Sequence, residues 1–269
     1  MSYPFVIYDC HTHIYPDKIA AKAVKSIGDF YDIPMGTDGT VEALLRQMKE
    51  LGIRRSVALA VAVEARQVSH INDFLIATVN AHPRELWGFA TLHPDMEAPD
   101  KEVERALKAG MKGIKLHPDM QHFSLADEKA DRLFAACEGV CPMMLHTGDS
   151  RYHNSNPSLI PGILKRHPRL QLICAHFGGY SEWDDAAKYL ADTNVYVDTS
   201  STFFALPNER VLPLIRLYGE DRILFGTDFP MWRAIPEIQN LLSLGLSQTA
   251  LKKIFSENLA RLLGEGMNE

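Results

Sequence analysis

The sequence predicts an α/β fold, a (β/α)8 TIM barrel with an inserted segment after strand 1. Eight short apolar runs alternate with amphipathic helical stretches along the whole chain. The 269 residues divide into units of about 34 residues, the size of one strand–helix repeat, and such barrels take roughly 250 residues. His, Lys and Asp also gather at the ends of the apolar runs, the edge at which barrel enzymes carry their chemistry.

The runs occupy residues 5–8, 56–63, 86–92, 113–117, 142–146, 170–176, 194–199 and 222–228. Several are continuous rather than alternating, as expected of parallel strands covered on both faces. After the first run, Val41, Leu44, Leu45 and Met48 have helical spacing and stop at Gly52. Ile71, Phe74, Leu75 and Val79 make the next stripe, and Val103, Ala106 and Leu107 precede Gly110. Leu133, Phe134 and Cys137 follow the fourth run, Leu159, Ile163 and Leu164 the fifth, and Ala186, Ala187 and Leu190 the sixth. Val211, Leu214, Ile215 and Tyr218 lead to Gly219, and residues 236–263 read as two helices broken near Gly245. An open doubly wound sheet also alternates in this way, but no GxGxxG follows the first run.

No linker, charge block or change of composition divides the chain, so one domain over residues 1–269 is expected. Residues 14–40 exceed an ordinary connection and include only a short helix-like stretch. A long segment at that edge is expected to serve as a lid or substrate loop. The 28 basic and 34 acidic side chains give a net charge of −6, which argues against nucleic acid or an anionic membrane as partner. No apolar run reaches the roughly 18 residues of a membrane span, and the N-terminus lacks a secretory pattern. The four cysteines form no CxxC pair and read as reduced thiols, so a cytoplasmic location is expected.

The run ends carry the chemistry. Asp9, His11 and His13 alternate at the end of the first run, so the period of a strand turns them to one face. Two imidazoles held together there make a chelating pair for a divalent cation. As buried core histidines they would instead need separate hydrogen-bond partners. Lys115 and His117 end the fourth run, His146 the fifth, His176 the sixth and Asp228 the eighth. His and Asp ligands without thiolates suit Zn²⁺ first, with Mn²⁺ or Fe²⁺ as alternatives, at a catalytic site. Such an ion lowers the pKa of bound water from about 15.7 to about 7. Asp228 is then the candidate to move a proton, and His176 to steady developing charge.

These pieces (HTH at 11–13, GIKLHP at 113–118, LHTG at 145–148, AHFGG at 175–179 and GTDFP at 226–230) run in order across the chain. Together they resemble the amidohydrolase superfamily, and within it the amidohydrolase-2 branch, which holds C–N and lactone hydrolases and non-oxidative decarboxylases. The resemblance implies that His11, His13, His146 and Asp228 ligate metal. It implies that His176 is a general acid/base in a one-metal enzyme, or a ligand of a second ion together with Lys115 in a two-metal one. Lys115 is thus either a carboxylated bridge or a substrate-facing base; the strand-four motif favours the latter and one metal. The expected function is a metal-dependent hydrolase of a small, polar, carboxylated molecule. The alternative is a non-oxidative decarboxylase of a small aromatic or unsaturated acid, and a barrel that binds without turnover stands third. A homodimer is implied by resemblance alone.

Further substrate contacts are expected from His117, which shares a face with Lys115, and from Tyr15 beside the histidine pair. Arg151 and Arg233 lie in loops after His146 and Asp228, where a guanidinium either clamps a carboxylate or is solvated. Asp198 ends the seventh run and is expected to satisfy strand-end amides rather than to bind substrate.

Overall fold

The computed structural model describes residues 3–266. Strand β1 (Ile7–His13) is followed by α1 (Asp17–Tyr31) and α2 (Val41–Leu51), then β2 (Ile53–Leu59), α3 (Val68–Ala81) and β3 (Leu86–Thr91). Next come α4 (Pro99–Lys108), β4 (Gly113–Leu116), α5 (Glu128–Cys137), β5 (Met143–Leu145) and α6 (Ile160–Arg166). The chain continues through β6 (Leu172–Cys174), α7 (Trp183–Leu190), β7 (Tyr196–Asp198), α8 (Asn208–Tyr218) and β8 (Ile223–Leu224). It ends in α9 (Ala234–Ser243), α10 (Gln248–Lys252) and α11 (Asn258–Leu263).

Each strand pairs in parallel with the next in chain order. The circle closes where the Cys10 amide donates to the Phe225 carbonyl at 2.9 Å and Thr12 pairs with Phe229. Asp9 seals this seam, accepting from the Thr227 amide at 3.0 Å and its hydroxyl at 2.7 Å. The fold is a TIM barrel, as the alternation of runs predicts.

Side chains sort by strand alternation. Tyr8, Val57, Leu59, Trp87, Phe89, Met144, Ile173 and Leu224 fill the interior, joined by Leu259 and Leu262 of α11. A larger cluster, including Ile7, Ala58, Leu86 and Ile114, lies between the strands and their helices. On β4, Ile114 and Leu116 join that outer cluster, so Lys115 between them turns inward. On β5, Met144 is inside, and His146 follows two residues later toward the mouth.

Strand β1 departs from simple alternation. Tyr8 and Cys10 both sit in the interior cluster, yet His11 and His13 line the cavity above it. The pairing of β1 with β2 shifts register between Asp9 and Thr12, and such an irregularity re-aims side chains. Thr12 fixes the shift by donating to the Val57 carbonyl at 2.7 Å. Asp9, expected beside the two histidines, therefore belongs to the seam instead. Gly226 makes room for the turned strand, since a Cβ there would lie 3.0 Å from His11 Cβ.

The insertion holds more helix than its sequence suggests: α1 is 15 residues long. Ala23, Ile27 and Tyr31 recur every four residues along its inner face and roof the cavity. Gly52 ends α2 in the left-handed conformation at φ 69°, and Gly245 at φ 68° separates α9 from α10, both where the sequence predicts stops. A π-helical turn over Lys253–Glu257 joins α10 to α11. The Asn258 amide there binds the carbonyls of Glu220 and Ile223, both at 2.7 Å, anchoring the C-terminal helix to β8. All four cysteines are buried and free, and no described helix is long and apolar enough to cross a membrane.

Candidate metal centre

Residues from opposite ends of the chain converge at the mouth. His11 Nε2 lies 3.2 Å from His13 Nε2, and Asp228 Oδ1 is 3.4 Å from the first and 3.8 Å from the second. Two imidazole nitrogens and one carboxylate oxygen thus face one point, a donor set that fits a divalent cation. Asp228, His176 and Ser201 hold φ of 60°, 62° and 44°, a region costly for non-glycine residues and commonest at functional sites. Ser201 Oγ donates to Asp228 Oδ2 at 2.6 Å, which leaves Oδ1 for the cluster.

Hydrogen bonds define which nitrogens carry protons. His11 Nδ1 is 2.9 Å from Asp198 Oδ2; a carboxylate only accepts, so Nδ1 is protonated and the Nε2 lone pair faces the cavity. His176 Nδ1 lies 3.1 Å from the Ser200 carbonyl, which likewise only accepts, so its Nε2 is also a bare lone pair. The Ser200 hydroxyl donates to Asp198 Oδ1, which also accepts the His176 and Ser200 amides at 3.0 Å each. Asp198 does satisfy strand-end amides as expected, but it also orients His11, the function of a carboxylate behind a metal ligand.

Burial sets the protonation states. It holds His11, His13, His117 and His146 well below the usual imidazole range and His176 down to about 4, so all five are neutral near pH 7. Only neutral imidazole offers a lone pair to metal. Lys115 is fully buried, with Nζ 3.2 Å from His11 Nε2. Burial lowers its ammonium to about 8, against the opposing pull of Asp228 and Asp198, so it remains cationic at neutral pH.

His146 stands across the cavity. Its Nδ1 is 3.0 Å from His176 Nε2, its ring stacks on His117 at 3.9 Å, and its Nε2 points toward Asp119 Oδ2 at 3.8 Å. It is adjacent to the His11–His13–Asp228 group rather than within it. His117 Nε2 meets the Tyr31 hydroxyl at 2.7 Å, which ties α1 to the loop after β4.

The cavity beneath α1 holds about 170 Å³ and is walled by Met35, Met120, Met231, Val61, Val63 and Ile27. Tyr15 and His117 line it too, and Lys115 is the sole Lys or Arg among the described lining residues. Neither loop arginine joins it. Arg151 pairs with buried Asp149 through two bonds, donates to the Phe30 carbonyl at 2.7 Å and packs over the rings of Phe30 and Tyr31. It is a tether for α1. Arg233 donates to the Gly36 carbonyl at 3.2 Å on an exposed face. Tyr31 and Asp119 escaped sequence reasoning. Asp119 follows His117 by two residues and was within reach of the same alternation; Tyr31 lies in the insertion, where no period marks an inner face.

The Amidohydrolase family model matches residues 8–264. Among solved structures, an uncharacterised TIM-barrel protein from Bordetella bronchiseptica superposes with a TM-score of 0.76 at 20% identity, over 97% of this chain and 99% of that one. A dihydroxybenzoic acid decarboxylase from a Polaromonas species, with bound manganese and 2-nitroresorcinol, gives 0.75 at 18% identity over 97% of both chains. A 5-carboxyvanillate decarboxylase from Novosphingobium aromaticivorans, also with manganese, gives 0.75 at 18% identity over 97% of this chain and 96% of that one.

Proposed function

Because the chain belongs to the amidohydrolase family, we propose that it is a metal-dependent enzyme catalysing non-oxidative loss of CO₂ from a small aromatic or unsaturated carboxylic acid. His11, His13 and Asp228, with His146 as fourth ligand, hold the divalent cation. The observation that carries this reading is the cavity. Its volume of about 170 Å³ is close to the roughly 150 Å³ of an apolar cavity that binds benzene, so one ring and little more is accommodated. Methionine and valine walls suit an apolar body, and the single ammonium of Lys115 beside His11 suits one anionic group. Two structural neighbours act on aromatic acids and carry manganese, which supports the same substrate class and makes Mn²⁺ a candidate beside Zn²⁺ and Fe²⁺.

A cation held by these residues would supply Lewis-acid polarisation of substrate oxygens. Lys115 pairs with the substrate's anionic oxygen. Asp228 takes a proton from solvent and passes it to the carbon that bears the carboxylate, returning to carboxylate; the C–C bond then breaks, its electron pair returns to the unsaturated system and CO₂ leaves. His176, neutral with its Nε2 turned inward, accepts a hydrogen bond from substrate. The sequence ranks hydrolysis first, and the same Asp228 serves there as base toward water. The cavity and the neighbours support decarboxylation ahead of hydrolysis.

The test is metal analysis of purified protein followed by incubation with a panel of monocyclic hydroxy acids under a CO₂ trap. The expected result is CO₂ equal to acid consumed, abolished by chelator. Turnover of lactones or amides without CO₂ overturns decarboxylation, and the absence of any bound divalent ion overturns the metal reading.

A further inference from the structure

We infer that Asp119, braced by Ser155, is the positioning residue of His146 and takes the hydrogen bond of its Nε2–H tautomer. This rests on the metal reading above. His176 Nδ1 gives its proton to the Ser200 carbonyl, so that its Nε2 accepts. His146 Nδ1, 3.0 Å away, must then donate, which leaves a bare lone pair on His146 Nε2. That lone pair faces Asp119 Oδ2 at 3.8 Å, too far for a hydrogen bond. Neither His146 Nε2 nor Asp119 Oδ1 has a partner among the described residues, although both side chains are buried.

Two buried acceptors facing one another is an unfavourable arrangement unless a proton comes between them. His146 can supply it. Were its Nδ1 lone pair given to a cation, the ring's single proton would move from Nδ1 to Nε2 with no change of net charge, and Nε2–H would turn to Asp119. Ser155 holds the carboxylate ready, donating to Oδ2 at 2.6 Å, and its backbone carbonyl accepts the Gly148 amide at 2.9 Å, which fixes it to the loop after β5. Asp119 therefore relates to His146 as Asp198 does to His11.

The test uses ¹⁵N-histidine-labelled full-length protein. Long-range ¹H–¹⁵N spectra are expected to show His146 protonated on Nδ1 without metal and on Nε2 with Zn²⁺. Asp119→Asn is expected to weaken Zn²⁺ or Mn²⁺ binding ten- to hundred-fold in chelator competition, with Asp119→Glu restoring part of it. In a His146→Ala background, Asp119→Asn is expected to have no further effect. Equal losses in both backgrounds, or a His146 tautomer indifferent to metal, overturn the assignment. Should Asp119→Asn fail to fold, Ser155→Ala carries the same prediction. Wild-type protein that binds no divalent ion defeats the metal reading itself, whereas binding that Asp119→Asn leaves unchanged defeats only this role.

Discussion

The Nδ1 atom of His11 lies 2.9 Å from Oδ2 of Asp198, so a carboxylate at the end of β7 dictates the tautomer of an imidazole on β1. Asp198→Asn preserves shape but weakens the acceptor. The expected result is a ten- to hundred-fold loss of metal affinity by chelator competition, with the circular dichroism spectrum unchanged. Undiminished affinity would show that His11 needs no such partner.

His11→Ala or His13→Ala removes one of the nitrogens facing the common point. Elemental analysis is expected to find metal near background in both variants. Asp228→Asn is expected to stay folded and to lose turnover by several orders of magnitude, since the proposed function makes Asp228 both a ligand and the proton carrier. Near-normal turnover would rule Asp228 out of the chemistry.

Lys115, held to about 8, is the cation available to a substrate carboxylate. The charged form exists below that pKa, so KM for an acid substrate is expected to rise as pH climbs through about 8 while an uncharged analogue is unaffected. Lys115→Met is expected to raise KM at least tenfold near neutrality and to flatten the profile. A wild-type profile with no inflection there excludes the pairing.

Arg151 links the loop after β5 to the Phe30 carbonyl at the end of α1. Cutting this tether by Arg151→Ala is expected to accelerate hydrogen exchange across residues 17–31 with little effect elsewhere, because only Ala20 of that helix is fully buried. Uniform exchange in mutant and wild type would mean that Tyr31 alone retains the roof.

Glu237, buried on α9 with one oxygen lacking a partner among the described residues, has its carboxyl pushed up to about 8 by burial. A raised carboxyl favours the folded state below the ordinary value of about 4.5, and that contribution is lost as pH rises through 8. Glu237→Gln is thus expected to raise Tm at pH 9 and leave it nearly unchanged at pH 5, with a gain on the order of 2–4 kcal/mol at the higher pH. Equal Tm differences at both pH values would contradict this.

The barrel was legible because burial of parallel strands on both faces writes continuous apolar runs, and because five of the eight runs lead into His, Lys or Asp. Lys115, His117 and His146 follow from alternation alone. His11, His176 and Asp228 do not: a register shift on β1 and left-handed backbone at the other two aim them, and neither leaves a mark in period-two patterning. The sequence leaves the arginines open between clamp and surface for a related reason. Proximity in sequence to His146 and Asp228 says nothing about direction, and Arg151 turns to Asp149 and α1 while Arg233 turns to Gly36. Tyr31 was hidden because its significance lies in what faces it across the cavity, whereas Asp119 continues the alternation of Lys115 and His117.

The closing seam between β1 and β8 has a consequence for biosynthesis. His11 and His13 precede Asp228 and its Gly226–Thr227 support by more than 200 residues, so the first two donors are synthesised well before the third. On the proposed metal reading the chelate is therefore incomplete until β8 closes the barrel onto β1, and ion capture would follow that closure. Overexpression in metal-poor medium should accordingly yield folded apoprotein that is loaded afterwards rather than chains arrested during synthesis.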